Sequence, residues 1–591
     1  MRIRKLLRVR FVVDPFTEQE KIMAELTPMM QKYMETKEQY KDCILFYRLG
    51  DFYEMFFDDA LVASKELEIT LTGKSCGLEE RAPMCGIPYH AVEGYLSKLV
   101  SRGYKVAICE QVEDPKLAKG LVKREVIRVV TPGTNLNVQS LEAGKNNYLL
   151  SIAYTPDGIG ISAADVNTGD YYVTEVEDLK KLNDELMKYE PSEIICNEAF
   201  LVSGFDVNDL KSRLHISVNA LESHMFDDDG CRRILMKHFK VNTLIGLGVE
   251  EFPTGLLAAG ALLQYLYDTQ KTDLEHFTHI YPYLTSKYML LDSSTRRNLE
   301  LTETLREKQK RGSLLWVLDK TKTAMGARLL RNYIEQPLIE KDEMEKRLDA
   351  IQELNQDSIS RDEIREYLNP IYDLERLLSK VTYKTANPRD LIAFRNSLQM
   401  LPPIKTVLSA FEKEELTKIR EQIDGLEDIY QLIDEAIIDE PPLSIREGGM
   451  IKDQFDETID RLRSAKHDGK QWLAQLEEED RERTGIKNLK IKYNKVFGYY
   501  FEVTNSYKNL VPEDYIRKQT LSTGERYITE ELKEYEEKIL GAEDKILVLE
   551  TQLYAELVQS LSEFIPAIQI NANQIARLDC LLSFAKAAEE Y

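Results

Sequence analysis

An aromatic ring and a carboxylate stand two residues apart at Phe52 and Glu54, within the run Gly50-Asp51-Phe52-Tyr53-Glu54-Met55-Phe56. A ring that leaves its own protein can enter a weak base step of duplex DNA through the minor groove and replace the lost stacking. A carboxylate beside the ring can accept a hydrogen bond from the edge of the displaced base. One function that such a pair could serve is therefore a wedge that opens and tests a base step.

The ordinary alternative is that these rings fill a core. Large aromatic side chains are mostly buried, and Phe52 and Phe56, four residues apart, would share one face of a helix. The segment is crowded with rings, namely Phe46, Tyr47, Phe52, Tyr53, Phe56 and Phe57. For any one ring, the local pattern by itself favours the core.

A second pattern that could do chemistry is a run of lysines near the C-terminal end. Lys490, Lys492 and Asn494 alternate with Leu489, Ile491 and Tyr493, so a strand here would turn its polar groups to one side. A basic face of this kind can hold phosphates. Basic clusters are also common on solvated surfaces, which is the competing interpretation.

Asp165 and Asp170 could be imagined as a metal-binding or nuclease pair. No third ligand stands at a suitable spacing. We therefore interpret both aspartates as turn and strand-end residues, positions that this residue type favours.

Length and composition set the limits within which these residues work. The 591 residues are too many for one core, and the 43% hydrophobic content is enough to build several.

The seven cysteines include no Cys-x-x-Cys pair, so neither a disulfide framework nor a zinc site is indicated, and a reducing cytoplasm fits. No apolar run approaches a membrane span. Arg8 and Arg10 interrupt any secretory segment, so residues 1–21 are interpreted as an extension, disordered or a start-site artefact.

The formal charge of -23 argues against a general nucleic-acid binder, because phosphate contacts need Lys and Arg. Any DNA-binding charge must therefore be segregated. Two basic segments are candidates, residues 116–128 and residues 486–500.

Several strings, taken together, resemble the bacterial MutS family of DNA mismatch-recognition proteins. The resemblance covers nearly everything from about residue 22 to residue 591. The strings are Leu26-Thr27-Pro28-Met29-Met30, Leu45-Phe46-Tyr47-Arg48-Leu49, Pro83-Met84-Cys85-Gly86-Ile87-Pro88-Tyr89-His90, Thr131-Pro132-Gly133-Thr134, Trp316-Val317-Leu318-Asp319, Val496-Phe497-Gly498-Tyr499-Tyr500-Phe501-Glu502-Val503 and Asp514-Tyr515-Ile516-Arg517-Lys518-Gln519-Thr520-Leu521.

The expected fold is multidomain, α+β and α. The expected parts are the extension 1–21, a small α+β mismatch-recognition domain 22–131, an α/β connector domain 132–278, the first part of a long helical core and lever 279–464, a β-rich clamp inserted at the lever tip 465–528, and the returning lever helix and core 529–591.

The Pro and Gly content of residues 83–90 and 131–134 predicts loops. After about residue 279 we expect long helices, opening with a small polar cap at 292–295 and continuing through 316–319 and 323–330. Strands are expected at 43–49, 105–110, 126–130 and around the turn between 158–166 and 171–173, and helices at 92–102, 179–189 and 256–267.

A heptad pattern near the end predicts the lever. Leu532, Ile539, Ile546 and Leu553 stand seven apart, and Tyr535, Ala542 and Leu549 follow the first three by three residues. The predicted partner is a helix that runs to about Arg483 and carries Trp472, Leu473 and Leu476.

The resemblance implies recognition of mismatched or unpaired bases in double-stranded DNA, which initiates DNA mismatch repair. Phe52 would insert and Glu54 would contact the base edge. The residues expected to hold the DNA backbone are Lys490, Lys492, Asn494, Lys495, Arg517 and Lys518. Two other classes stay open: a structural or partner-docking coiled-coil protein without mismatch discrimination, and a nuclease that uses the connector's acids.

No Gly-x-x-x-x-Gly-Lys-Ser/Thr motif occurs in the sequence, because Gly73-Lys74-Ser75 has Glu68 where the first glycine must stand. We therefore expect this chain not to be an enzyme, with no cofactor of its own and the family's ATPase domain absent. ATP and Mg²⁺ are expected only with that domain. The resemblance also implies a MutL-type partner, a homodimer weakened by the missing domain, and a cytoplasmic, nucleoid-associated location.

Overall fold

The computed structural model describes residues 25–113, 120–137, 141–212, 214, 216–494 and 496–591. These residues fold into two compact units. The first, here called the N-terminal unit, comprises the described residues up to 369 together with 407–422 and 568–591. The second, here called the lever unit, comprises residues 370–406 and 423–567.

The N-terminal unit begins with a six-stranded sheet, here called the first sheet, in the order β3-β4-β2-β1-β5-β6. Only β1 and β5 run parallel among its neighbouring strands. The elements are α1 (Pro28–Gln39), β1 (Cys43–Leu49), β2 (Phe52–Phe56), α2 (Phe57–Leu67), β3 (Thr72–Lys74), β4 (Ala82–Pro88), α3 (Val92–Val100), β5 (Lys105–Gln111) and β6 (Arg124–Val130). The strands predicted at 43–49, 105–110 and 126–130 are confirmed.

Each face of the first sheet carries a hydrophobic core over part of its area. Phe46 and Met55 lie in a core on one face with side chains of α2 and α3, while Leu45 and Phe56 lie in a second core with Tyr33 of α1. Alternation along each strand sends neighbouring side chains to opposite cores.

The predicted loop at 83–90 is wrong for most of its length, because Ala82–Pro88 forms strand β4 in the interior of the sheet. The ladder between β2 and β4 runs from Phe56 opposite Met84 to Phe52 opposite Pro88. Pro88 therefore stands at one end of this ladder, where a missing amide hydrogen is tolerated, while Pro83 lies beyond its other end and opposite Gly73 of the short edge strand β3. The predicted loop at 131–134 is confirmed as a capped 3-10 turn, Pro132–Thr134.

A second six-stranded sheet follows, in the order β11-β10-β7-β8-β9-β12. Its core holds Leu150, Ile161 and Ile194 with Leu182 and Leu186 of α4. The elements are β7 (Leu149–Thr155), β8 (Gly158–Asp165), β9 (Asp170–Val176), α4 (Leu179–Tyr189), β10 (Glu193–Asn197), α5 (Glu198–Leu201), α6 (Val207–Ser212), β11 (Ser217–Leu221), α7 (Asp228–Phe239), α8 (Pro253–Gln270) and β12 (Tyr281–Pro282). The strand pair and both helices predicted in this region are confirmed.

The long helices expected after about residue 279 are interrupted, which corrects that prediction. Asp292 caps α9 through a bond from the Thr295 amide (2.7 Å), but α9 spans only Ser293–Asn298. Helices α10 (Leu314–Leu318) and α11 (Ala324–Glu335) are separate. Glu300, Lys308 and Gly312 have positive φ between α9 and α10, a conformation that an α-helix excludes.

The remaining helices complete both units. They are α12 (Lys341–Gln356), α13 (Ser358–Leu368), α14 (Leu374–Thr382), α15 (Pro388–Leu398), α16 (Leu401–Leu408), α17 (Glu414–Gln422), α18 (Glu427–Ala436), α19 (Glu457–Thr484), α20 (Glu530–Leu561) and α21 (Ile565–Glu590). Gly326 of α11 lies so close to α21 that a Cβ there would stand 2.8 Å from Cβ of Asp579. Gly326 therefore lets α11 and α21 approach closely.

Helices α19 and α20 of the lever unit pack antiparallel along their length. Trp472 stacks on Tyr535 with ring centroids 3.5 Å apart, and Arg463 pairs with the fully buried Glu550 at 2.7 Å. The chain segment that connects these two helices forms a four-stranded antiparallel sheet, here called the tip sheet, with the strand order β13-β14-β16-β15. Its strands are β13 (Lys490–Asn494), β14 (Gly498–Thr504), β15 (Ile516–Thr520) and β16 (Gly524–Ile528).

The heptad prediction holds for the half of α20 nearest the tip sheet. Leu532, Ile539 and Ala542 are buried, whereas Ile546 and Leu553 are only partly buried. Burial then shifts to Glu550, Tyr554, Leu557 and Leu561. In that half of α20 the hydroxyl of Tyr554 donates to the carbonyl of Ala386 at 3.0 Å, so the helix there packs on another segment of the lever unit as well.

No helix in the described ranges is both long enough and apolar enough to cross a membrane.

Candidate nucleic-acid interface

Phe52 is the first residue of β2 and presents its ring to solvent. The turn before it consists of Gly50 and Asp51, and Gly50 takes a left-handed φ of +58°. Phe52 is 47% exposed, whereas its neighbours Tyr53 and Met55 are buried. The core interpretation of this ring is therefore wrong, while it is right for Phe46, Tyr47, Tyr53 and Phe56.

The exposure of Phe52 follows from its place along the strand. Phe52, Glu54 and Phe56 share one face of the first sheet because strand side chains alternate. Tyr33 of α1 covers Phe56, with ring centroids 4.9 Å apart. At the other end of β2, Phe52 stands between Leu49 of β1 and Pro88 of β4. Its ring is thus held by a rigid sheet and is left uncovered.

Glu54 lies on the same face as Phe52, and its carboxylate is paired. Lys74 of β3 places Nζ 2.6 Å from Oε2 of Glu54. Directly across the ladder stands Gly86, which has no side chain to cover Glu54. Sequence reasoning missed Lys74 because it considered Gly73-Lys74-Ser75 only as an incomplete phosphate loop.

Arg48 fixes the turn that carries Phe52. Its guanidinium lies over the Tyr89 ring at 3.7 Å and pairs with Glu110 at 3.1 Å, and its Nε donates to the carbonyl of Gly50 at 2.5 Å. The hydroxyl of Tyr53 donates to the same Glu110 carboxylate. Burial, together with this hydrogen bond, raises the pKa of Tyr53. The turn is therefore braced before any ligand arrives.

The basic segment 116–128 is largely committed to internal contacts where it is described. Arg124 donates to the carbonyl of Arg48 at 2.7 Å, and Arg128 donates to the carbonyl of Thr134 at 2.9 Å. Lys123 pairs with Glu125 at 2.6 Å. Residues 116–119 lie outside the described residues. The described part of this segment therefore offers little free charge to DNA.

The tip sheet brings Lys490, Lys492 and Asn494 together on one face. In the ladder between β13 and β14, Lys490 lies opposite Glu502, Lys492 opposite Tyr500 and Asn494 opposite Gly498. Lys492 forms an ion pair with Glu502 at 2.8 Å. Lys490 is exposed and has no ion pair with any residue that the structure describes. The face predicted from the alternation of residues is therefore present.

The other backbone-binding residues predicted from the resemblance are placed differently. The side chain of Asn494 accepts bonds from the amides of Val496 (2.9 Å) and Phe497 (2.8 Å), so it shapes the hairpin turn. Arg517 of β15 lies opposite Tyr527 of β16, which in turn lies opposite Phe501 of β14, so these three side chains are on one face of the tip sheet. Lys490 is on the other face.

The guanidinium of Arg517 also lies 3.4 Å from the carboxylate of Glu525. The pKa of Glu525 is lowered to about 2, chiefly by a hydrogen bond from the hydroxyl of Tyr527. Lys518 is exposed at a bulge in β15, between the paired residues Arg517 and Gln519. Lys495 lies outside the described residues. The structure thus groups the two lysines of β13 and separates Arg517 from them.

Asp165 and Asp170 hold the turn between β8 and β9. Asp165 accepts bonds from the backbone amides of Asn147 (3.0 Å) and Asn167 (2.9 Å), and Asp170 accepts a bond from the hydroxyl of Thr168 (2.9 Å). Burial and the neighbouring Asp165 charge raise the pKa of Asp170 to about 6. Their interpretation as turn and strand-end residues is confirmed. Across the described ranges, no three His, Cys, Asp or Glu side chains are grouped as a metal ion would need.

Comparison with known proteins gives a consistent result along most of the chain. Three family models match: MutS domain I over residues 27–139, MutS domain II over 147–278 and MutS domain III over 294–585. Among similar curated proteins, the DNA mismatch repair protein MutS of Lachnoclostridium phytofermentans is 64% identical over 567 residues, which are 96% of this chain and 61% of that protein.

Two further relatives carry the same name, "DNA mismatch repair protein MutS". The protein of Ruminiclostridium cellulolyticum is 53% identical and that of Acetivibrio thermocellus is 51% identical, each over 96% of this chain and 65% of the relative. The chain thus spans somewhat less than two thirds of the length of these relatives.

Proposed function

The chain belongs to the MutS family, and on that premise we propose that it binds mismatched or unpaired bases in duplex DNA and so initiates DNA mismatch repair. The observation that carries the proposal is the exposed ring of Phe52 at the end of a buried, rigid strand. About half of this large ring faces solvent at the end of the strand, so it can be offered to an apolar ligand surface such as an unstacked base step.

Phe52 would enter the minor groove at a mispaired or unpaired base. Such a base step costs less to unstack and bend than a matched step. The inserted ring recovers part of the lost stacking. Because the same ring at a matched step would have to break stronger stacking and pairing, the difference in cost favours the lesion.

Glu54 would contact the edge of the displaced base. An ionised carboxylate accepts a hydrogen bond from that edge, and a protonated one can donate. Its negative charge near the phosphates also weakens binding to matched DNA, which gives no compensating hydrogen bond. Specificity would then come partly from making the wrong complex less stable.

The tip sheet would hold the DNA backbone without reading its sequence. Lys490 and Lys492 share an exposed face, and phosphate contacts of this kind fix position but carry no sequence information. Of the residues implied by the resemblance, these two have the strongest structural support. Asn494 would act by shaping the turn, while Arg517, Lys518 and Lys495 remain predictions from the resemblance.

We further propose that this chain does not hydrolyse ATP by itself. Gly73 and Lys74 lie in strand β3, and Lys74 is paired with Glu54. A phosphate loop instead needs a glycine-rich turn between a strand and a helix. A MutL-type repair protein and a second copy of the chain are the protein partners that the family membership implies.

A titration with matched and mismatched duplexes tests this function. Labelled short duplexes of one sequence, either fully paired or carrying a G·T pair or a one-base loop, are titrated with the chain at fixed salt and followed by fluorescence anisotropy, with and without ATP and Mg²⁺. We expect tighter binding to the two lesions and no dependence on ATP. Equal affinity for all three duplexes would support a scaffold instead. Mg²⁺-dependent cleavage of paired DNA would support a nuclease.

A further inference from the structure

We propose that Lys74 is a specificity-determining residue, which fixes the carboxylate of Glu54 so that one oxygen is held and the other faces the displaced base. The inference rests on the proposed function and extends it to a residue on a different strand. Lys74 would act through Glu54 and not by reading the DNA itself.

The path of the Lys74 side chain is fixed by its surroundings. Lys74 stands on β3, which is separated from β2 by β4, and it lies on the same face of the sheet as Glu54. Its ammonium group lies 5.5 Å from the centroid of the Phe56 ring. Phe56 is fully buried and therefore provides a rigid floor beneath the lysine. The ammonium group reaches Oε2 of Glu54 at 2.6 Å.

The two oxygens of Glu54 differ in their surroundings. Oε2 is bound by Lys74, while among the residues that the structure describes no group donates to Oε1. The Glu54 side chain is only 17% exposed, so its orientation is restricted. A carboxylate oxygen accepts several hydrogen bonds, and Oε1 is therefore the acceptor available to a base.

Gly86 leaves the space that a base edge would need. A Cβ at position 86 would lie 3.6 Å from Cγ of Glu54 and 3.9 Å from Cδ1 of Phe52. These are ordinary contact distances, so any side chain longer than alanine would fill the space beside both residues. The open side of Glu54 and the exposed ring of Phe52 thus border one space, and Lys74 closes its far side.

The ion pair has two consequences for recognition. It holds the carboxylate in one orientation before DNA arrives, which removes part of the ordering cost of the hydrogen bond to the base. It also offsets part of the negative charge of Glu54 as the phosphates approach, for matched and mismatched duplexes alike, which changes their common affinity and not the ratio between them. Without Lys74, the carboxylate would turn more freely and would repel both kinds of duplex.

A double-mutant cycle separates this role from direct phosphate binding by Lys74. The variants are Lys74→Met, Lys74→Arg, Glu54→Ala and the double variant Lys74→Met with Glu54→Ala. The measured quantity is the ratio of dissociation constants for matched and G·T duplexes at fixed salt. Lys65→Met is the control, because Lys65 is an exposed lysine of α2 in the same domain, and α2 packs on the opposite face of the sheet.

We expect Lys74→Met to lower the ratio about threefold or more, as for a charge-assisted hydrogen bond that loses its alignment. Lys74→Arg should keep most of the ratio, because an arginine can also reach the carboxylate. In the Glu54→Ala background, Lys74→Met should leave the ratio unchanged, since its partner is gone. Lys65→Met should not change the ratio.

Two results would overturn the inference while leaving the proposed function intact. The first is an unchanged ratio in Lys74→Met. The second is an effect of the same size with and without Glu54, which would assign Lys74 to the DNA backbone. A wild-type chain with no preference for the G·T duplex is a different result, because it would overturn the proposed function and the inference with it.

Discussion

The carboxylate of Glu536, near the start of α20, accepts a hydrogen bond from the backbone amide of Tyr499 at 2.6 Å. Lys533, one turn earlier, donates to the carbonyl of Phe497 at 2.9 Å and pairs with Glu536 at 2.7 Å. These bonds attach the hairpin of β13 and β14 to the lever helix. Lys490 and Lys492 are therefore carried by a hairpin whose turn is fixed to α20.

Replacing Gly498 by Ala should release this attachment. Gly498 has a φ of +72°, and a Cβ there would lie 2.3 Å from both carboxylate oxygens of Glu536. Glu536 must then move, and the alanine must take a left-handed conformation that costs about 1–2 kcal/mol. We expect weaker binding to matched and mismatched duplexes alike, with the ratio of their affinities unchanged, as measured by anisotropy titration.

Gly541→Ala is the matched control for this variant. Gly541 lies within α20 and has no atom within 4 Å of an added Cβ. Alanine favours a helix by about 1 kcal/mol over glycine, so DNA binding should be preserved and thermal stability raised slightly. Full binding by Gly498→Ala would show that the attachment to Glu536 does not matter for the tip sheet.

Replacing Lys490 and Lys492 together by Gln should weaken every duplex equally. Each phosphate contact contributes about 0.9 to the slope of log K against log salt, so loss of both should flatten the slope by about two units. The measurement is a series of titrations at increasing salt with matched and G·T duplexes. Lys341→Gln with Lys413→Gln is the control, because it removes two exposed charges from the N-terminal unit. A loss confined to the G·T duplex would contradict a backbone role.

His276 should make the stability of the chain depend on pH in a defined direction. Burial lowers its pKa to about 3, and its Nε2 donates to the carbonyl of Val166 at 3.1 Å. In the unfolded chain the pKa is near the ordinary value of 6.5. Between these values the unfolded state binds one more proton, so the contribution of His276 to stability is complete above pH 6.5 and is lost as the pH falls below it.

The difference in thermal midpoint between the wild type and His276→Gln should therefore shrink from pH 7.5 to pH 5.5. The expected slope below pH 6.5 is about 1.4 kcal/mol per pH unit for a single group. If the thermal midpoints of the two proteins changed in parallel with pH, His276 would protonate equally well in the folded and the unfolded chain.

Local patterns were enough to predict much of the fold. The helix Leu179–Tyr189 follows from the spacing of its apolar residues, the strand Cys43–Leu49 from a continuous apolar run, and the lever from a heptad repeat near the tip sheet. Strand β4 was missed because Pro83 and Pro88 favour a loop locally, and only the tertiary pairing places both at or beyond the ends of the ladder with β2. The breaks after α9 were missed because Glu300 and Lys308 adopt positive φ, which non-glycine residues rarely do.

The candidate site was predictable only in part for the same reason. Phe52 and Glu54 are two residues apart and could be found from spacing and resemblance. Lys74 is twenty residues from its partner Glu54. Arg48 is 62 residues from Glu110. Ion pairs of this kind are set by strand order, which the local sequence does not specify.

The most direct test of the account is the ratio of dissociation constants for matched and G·T or one-base-loop duplexes in Phe52→Ala. Leu61→Ala is the control, because Leu61 is an exposed apolar residue of α2 in the same domain. If Phe52 is the wedge, its removal should erase the preference, a loss of about 1–3 kcal/mol typical of a stacking contact, while Leu61→Ala keeps it. An unchanged ratio in Phe52→Ala would contradict the account.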